Sequence, residues 1–272
     1  MGQRWRLLVH APADGAWNMA VDEALLESCL ASPDAIPTLR LYGFEPPALS
    51  LGKSQPAADV REPRRLASSG IELVRRPTGG RAVLHERERT YAVIGRHDRP
   101  PFGGGVLETY RVVAEALELG LREAGVDARA RSPSTLPERE PGSTPTAACF
   151  GVLSTHEISV AGRKLVGSAQ LRRGGAFLQH GSIPWQLDAA LLARVLGEPV
   201  DARRLTDLER AAPGLTPERL DRALVSGFEQ RFGVQILPGA LTEREALVAT
   251  RLRAWKHLSA EWTLEARASS TR

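Results

Sequence analysis

Cysteine is nearly missing. The 272 residues hold two, Cys29 and Cys149, too few for a disulfide framework or a cysteine-based zinc site. The six histidines (His10, His85, His97, His156, His180 and His257) are scattered, and no metal site is expected. No apolar run approaches the roughly 20 residues of a membrane span. The opening MGQRWRLLVHAPADG has too short an apolar segment for a signal peptide, and Arg6 breaks the myristoylation pattern. A cytoplasmic protein with no membrane partner is therefore expected. Aromatic residues are 5% of the chain, and no basic run is interleaved with them, so nucleic acid is not the expected partner despite a net charge of +4. A mildly basic surface suits an acidic protein equally well.

Lysine is the other scarcity. Only Lys53, Lys164 and Lys256 occur, so 33 of the 36 basic residues are arginine. A chain that uses arginine almost everywhere points to its few lysines as places where a compact ammonium able to lose its proton is needed. Beyond these shortages the composition is that of a globular protein, 42% hydrophobic and 25% charged, long enough to bury a full core.

The stretch Cys149 to Ser182 joins a cysteine to a lysine through strand-like alternation. Ile158 and Val160 alternate with polar neighbours, and Gly162-Arg163 make a turn. Lys164-Leu165-Val166 begin a second strand, Gly174-Gly175 turn again, and Ala176-Phe177-Leu178 begin a third. These turn signals predict a β-meander. Gly167-Ser168-Ala169 sit inside its middle strand, where glycine is unfavourable unless a ligand or backbone approaches closely.

Upstream, Asn18 is predicted to cap a helix MAVDEALLESCL, in which Cys29 is a small buried hydrophobe. TLRLYGF and ALSLGKSQ read as strands, and IELV and AVL as strands joined by RRPTGGR. Gly79-Gly80 allow backbone to touch a ligand, and Arg75, Arg76 and Arg81 around them favour an anionic or carbonyl-bearing one. Residues 106–124 are the clearest helix, with Val106, Tyr110, Val113, Leu117 and Leu121 on one face. Residues 132–148 have a loop composition and lead into Cys149. After Trp185 helices dominate: DAALLARVLG, then one opened by Thr216-Pro217, a short strand VQILPG, and a final helix to about His257 with a Thr242/Glu245 capping box. An α+β fold is predicted, with a mixed or antiparallel sheet and flanking helices. Residues 1–186 would form the catalytic, acyl-binding core and 187–272 a helical part packed on the same domain, with a disordered tail after about 265.

Cys149 is the candidate nucleophile. A nearby ammonium would lower its thiol pKa, and Lys164 lies one hairpin away. His156 and His180 are alternative general bases.

In RRPTGGRAVLHERERTYAVIG, GRKLVGSAQ, LQHGSI, NMAVDEALL and SAEWT the chain resembles the lipoate-protein ligase and octanoyltransferase family, related in fold to biotin ligases, from about residue 16 to 263. Within it, ACF, RPTGGRAVLH and GSAQ resemble the octanoyltransferase branch of the LipM type, where Arg81 stands in place of the third glycine of ATP-using ligases. Glu86 is one departure, since the pattern usually has aspartate there. The resemblance implies a biotin/lipoate protein ligase-like catalytic domain and an acyltransferase of lipoate biosynthesis. Cys149 would carry the acyl group as a thioester and Lys164 would lower its pKa. Substrate binding would fall on Arg76, Thr78, Gly79, Gly80, Arg81, His85, Gly167, Ser168, Ala169, His180 and Gly181. The donor would be octanoyl-acyl carrier protein. The acceptor would be the lysine of a lipoyl-domain protein, such as the glycine cleavage H protein or a 2-oxoacid dehydrogenase E2 subunit. Thioester to amide runs downhill, so neither ATP nor any other cofactor is expected, and a monomer suffices. Burying the seven-carbon tail would contribute about 5 kcal/mol before ordering costs, with Val74, Val83, Leu165 and Val166 as candidate walls. The alternatives are an ATP-dependent lipoate-protein ligase, an amidotransferase between lipoyl domains, and a non-catalytic protein that binds carrier or lipoyl domains.

Overall fold

Strand β1 (Arg4–Val9) leads into helix α1 (Gly15–Ala31), and four strands follow: β2 (Thr38–Tyr42), β3 (Ala48–Leu51), β4 (Glu72–Arg75) and β5 (Val83–His85). Next come β6 (Glu88–Arg96), α2 (Val106–Glu123), β7 (Ala128–Ala130), β8 (Ile158–Val160), β9 (Arg163–Arg173) and β10 (Ala176–Pro184). The chain continues through α3 (Ala189–Leu196), α4 (Leu208–Ala211), α5 (Pro217–Phe232), β11 (Gln235–Pro238), α6 (Glu243–Leu252) and α7 (Ala260–Glu265). This computed structural model describes residues 3–60, 66–130 and 157–267. Cys149, His156 and the segment 132–148 lie outside the described residues.

Eight strands form one mixed sheet in the order β11-β1-β2-β6-β10-β9-β8-β7, and β4-β3-β5 form a smaller one. The β11-β1-β2 edge is parallel and the remaining neighbours of the large sheet are antiparallel. The fold is the expected α+β arrangement, and the meander β8-β9-β10 is present. Its turns rest on positive φ at Gly162, Gly174 and Gly175, which glycine adopts without steric cost.

Alternation along the central strands sends side chains to two separate cores, as a sheet covered on both faces requires. Leu39, Leu41, Tyr91, Val93 and Phe177 point toward α2 and α5. Leu8, Tyr42, Ala92, Ile94 and Leu178 point toward α1 and α6. Helices α2 and α5 cross closely. A Cβ on Gly227 would sit 2.3 Å from the backbone nitrogen of Gly120, and one on Gly120 would sit 2.6 Å from the carbonyl oxygen of Ala223. Leu49, Leu51, Val83, Leu192, Val195 and Leu196 form a third cluster between the small sheet and α3.

Two expectations about helix ends fail, and Val106, expected on the apolar face of α2, is exposed. The cap of α1 is Asp14, whose side chain accepts the Trp17 N–H at 2.7 Å. Asn18 lies one turn inside and donates to the carbonyls of Ala13 and Gly43. A buried side chain that bridges two loop carbonyls looks, in sequence, like a cap residue. The last helix also differs. Its capping box forms as expected, but the regular helix stops at Leu252. A π-helical turn follows at Arg253–His257, and Ser259 caps the further helix α7.

Helix α7 is anchored by Arg75. The Arg75 Nε donates to the carbonyls of Trp262 and Thr263, and the Trp262 indole N–H donates back to the Arg75 carbonyl at 2.9 Å. Nη1 reaches the carbonyls of Gly52, Lys53 and Gln55. One guanidinium thus joins the C-terminal helix to the loop after β3.

Candidate active site

A cleft of about 360 Å3, counted out to open solvent, lies where β10 and β9 face the small sheet. Its lining draws on α1 (Met19), β2 (Tyr42), the small sheet (Ser50, Val83, His85), Arg76, and the meander through Gly167, Ser168, Ala169, His180 and Gly181. Strand β10 brings the last two in register with Ala169 and Ser168 of β9. A larger, more open groove of about 1300 Å3 lies between β4 and the C-terminal helices. None of the eleven expected binding residues lines it.

Polar side chains converge on the first cleft in two groups. In one, the fully buried Asp22 accepts from Arg40 at 2.7 Å and from the Tyr42 hydroxyl at 2.8 Å, and it meets His180 Nδ1 at 2.9 Å. His180 Nε2 contacts the Thr78 hydroxyl at 2.7 Å. Burial alone would raise the Asp22 carboxyl, but Arg40 and His180 hold it below the usual range. Burial pushes His180 below its ordinary value against the pull of Asp22, with Arg76 and His85 adding to the depression. The His180 ring is therefore neutral near pH 7. In the second group, His85 stacks on Phe44 at 4.0 Å and joins the Ser50 hydroxyl to the Glu88 carboxylate, each at 2.8 Å. Glu88 also accepts from Thr90 and Ser182. Behind the cleft, the Tyr91 hydroxyl bonds Ser168 at 2.7 Å, and burial pushes its phenol up to about 12.

The RRPTGGR turn adjoins this floor through Arg76, which lines the cleft, and Thr78, which meets His180. Arg76 donates to the carbonyls of Ser50, Gly79 and Arg81, so its guanidinium shapes the turn. The carbonyl of Thr78 accepts the Lys53 N–H at 2.8 Å. Gly80 holds φ of 92°. Arg81 is half-buried and faces Asp59 at 3.7 Å.

Lys164 is 1% exposed and ion-paired with Glu157. It does not line the cleft. It lies on β9, three residues and so about 10 Å along the strand from Gly167. Of the expected tail walls, Val83 lines the cleft, Val74 lines the larger groove, and Leu165 and Val166 belong to the core against α2. Cys29 is a buried core residue, and burial pushes its thiol up to about 11, as its predicted structural role requires. Asp22, Arg40, Ser50, Glu88 and Ser182 were not expected at the site. The sequence signal for Asp22 is its i, i+4 spacing from Asn18 on a helix rich in apolar residues, where two buried polar groups need partners.

The model of the lipoyl protein ligase A/B catalytic domain matches residues 14–229. The chain belongs to that family. Among lipoyl protein ligase A/B relatives, octanoyltransferase LipM of Kyrpidia tusciae is 42% identical, over 96% of this chain and 98% of its own. Octanoyltransferase LipM of Moorella thermoacetica is 41% identical, over 96% and 97%. The crystal structure of lipoate-protein ligase A bound with ATP superposes with a TM-score of 0.81 at 25% identity, covering 98% of this chain and all of that one. A bipartite lipoate protein ligase from Thermoplasma acidophilum, at 23% identity and a TM-score of 0.80, has the same fold. The lipoyl protein ligase A/B match ends inside α5, so β11, α6, α7 and the Trp262 contact with Arg75 lie beyond it. Among the described residues no group of histidine, cysteine, aspartate and glutamate is arranged to hold a metal. No helix there is long and apolar enough to cross a membrane.

Proposed function

We propose that this chain moves an octanoyl group from octanoyl-acyl carrier protein to the lysine of a lipoyl-domain protein, through a thioester on Cys149. Octanoyltransferase is the name carried by relatives that match nearly its whole length. The observation that carries the reading is the cleft. It is lined by Gly167, Ser168 and Gly181 of the meander and by Arg76, whose guanidinium holds the neighbouring Gly79-Gly80 turn, and a thioester carbonyl would sit there among backbone N–H groups able to stabilise an oxyanion.

In the first half-reaction the Cys149 thiolate attacks the carrier thioester. A new C–S bond forms, the old one breaks, and the carrier thiolate leaves and takes a proton. In the second, the neutral ε-amine of the acceptor lysine attacks the acyl-cysteine, the C–N bond forms as the C–S bond breaks, and the proton lost by the amine goes to the departing Cys149 thiolate. Lys164, held by Glu157 on the strand that carries Gly167, is the cation assigned to favour the thiolate.

Intact-mass spectrometry after mixing the protein with octanoyl-carrier protein, without ATP, tests this. The expected result is an octanoyl adduct that hydroxylamine removes, that Cys149→Ser abolishes, and that passes to a lipoyl domain. A second reading, the ATP-dependent ligase, is favoured by the superposition on lipoate-protein ligase A bound with ATP. Modification of a lipoyl domain only when ATP and free lipoate are supplied, with Cys149→Ser fully active, would establish it and discard the thioester route.

A further inference from the structure

The buried chain Asp22–His180–Thr78 has a direction that follows from counting hydrogens. An ionised carboxylate accepts and cannot donate. Asp22 Oδ2 takes the single Tyr42 hydroxyl hydrogen at 2.8 Å, and His180 Nδ1 stands 2.9 Å from the same oxygen. Nδ1 must therefore carry the hydrogen. In the neutral ring Nε2 is then an acceptor, and the Thr78 hydroxyl 2.7 Å away donates to it. Thr78 lies in the turn beside the cleft, two residues after Arg76 of its lining. Its carbonyl takes the Lys53 N–H, the next carbonyl takes Arg76, and the one after packs against Gly52. The charged and titratable groups facing His180 are Asp22 of α1, Arg40 and Tyr42 of β2, Arg76 after β4, and His85 of β5.

We propose that Asp22 is a positioning residue for acyl transfer: by accepting the Nδ1 hydrogen of His180 it leaves Nε2 bare to hold the Thr78 hydroxyl, and so fixes the Thr78-Gly79-Gly80 backbone against the acyl group. The proposal rests on the octanoyl-transfer reading above. Asparagine at position 22 cannot keep the chain's direction. If its oxygen faces Arg40, its NH2 faces His180, the ring reverses its tautomer, and Nε2–H donates to the Thr78 hydroxyl, whose own hydrogen then loses its acceptor. If its oxygen faces His180, the buried Arg40 guanidinium confronts the NH2.

The test is the rate of octanoyl adduct formation from octanoyl-carrier protein, at saturating and limiting donor. It is read for wild type, Asp22→Asn, Thr78→Val and the double variant, with thermal melting alongside. Asp22→Asn and Thr78→Val should each lower the saturated rate at least about tenfold, the scale of a misplaced reacting group, with less change in half-saturation. Thr78→Ser should recover most of what Thr78→Val loses. The double variant should be no slower than the worse single, because both break one chain. If Asp22→Asn melts too low to assay, Asp22→Asn with Arg40→Gln, compared with Arg40→Gln alone, removes both buried charges together. Losses that multiply in the double variant, or a wild-type rate in Asp22→Asn, would overturn the proposal and leave Asp22 as a counter-ion of Arg40. A wild-type protein that forms no adduct would instead remove the transfer reading itself.

Discussion

A methyl group on Gly52 would place its carbon 1.9 Å from the carbonyl oxygen of Gly80 and 2.8 Å from its carbonyl carbon. Neither partner is the end of a flexible side chain, so the turn beside the cleft would have to move bodily. Gly79 differs from Gly52, with open space where its Cβ would be. Gly52→Ala is therefore expected to slow adduct formation about 100-fold, since a displacement near 1 Å at reacting groups costs that much. Stability should fall by only about 1–3 kcal/mol, the range for a forced overpacking. Paired measurement of the adduct rate and of denaturant unfolding checks this, and near-wild-type rates with a lowered midpoint would show that the turn does not hold the acyl group. Gly52 lies 28 positions before Gly80, so its role could not be read from the RPTGGR pattern, although that pattern did mark the turn itself.

At the scale of elements, sequence punctuation was a good guide where it encodes backbone conformation. The glycine turns at Gly162 and Gly174-Gly175 around β9 located the meander, Thr216-Pro217 opened α5, and Thr242 with Glu245 opened α6. It misled where a side chain serves a distant partner, as at Asn18, and where helical periodicity continues through the π turn at Arg253–His257. Helix α7 has only six residues, too few to be stable alone, so its position depends on docking. That docking is the reciprocal Arg75–Trp262 pair, reinforced by Lys256 over the Trp262 ring at 4.1 Å. Trp262→Phe keeps most of the apolar contact but removes the indole donor from a buried carbonyl, at about 1–3 kcal/mol. Truncation before Ser259 would in addition leave the Arg75 Nε without its two carbonyls. The melting temperature should fall in that order, and adduct formation should fall further in the truncation than in Trp262→Phe because Arg75 also braces Gly52. Equal adduct rates in all three proteins would separate α7 from the site.

At the scale of the whole molecule, the binding segments were legible because they are local in sequence. The polar partners beneath them come from α1, β2, β3 and β6 and meet only through the fold. The same distribution sets how the protein responds to acid. Burial alone would raise the Glu23 carboxyl, but hydrogen bonds from His257 and Lys256, with the Lys256 charge, hold it at about 2 against an ordinary 4.5. Above about pH 5 the carboxylate is ionised in both folded and unfolded chains, and its stabilisation is fully present. As pH falls from 4.5 toward 2 the unfolded chain takes up a proton that the folded one refuses, and about 3 kcal/mol is lost. Asp22 acts in the same direction. His10, pushed by burial and by Arg40 from 6.5 to about 4, also protonates first in the unfolded chain, so it begins the same decline between those two values. Melting temperature should therefore be flat between about pH 6.5 and 8 and fall continuously toward pH 2. Glu23→Gln should start lower, because it leaves the buried Lys256 without its carboxylate, and should lose less than wild type between pH 5 and 2. Parallel curves for the two proteins would show that acid attacks the fold somewhere other than the Glu23 junction between α1 and the C-terminal helices.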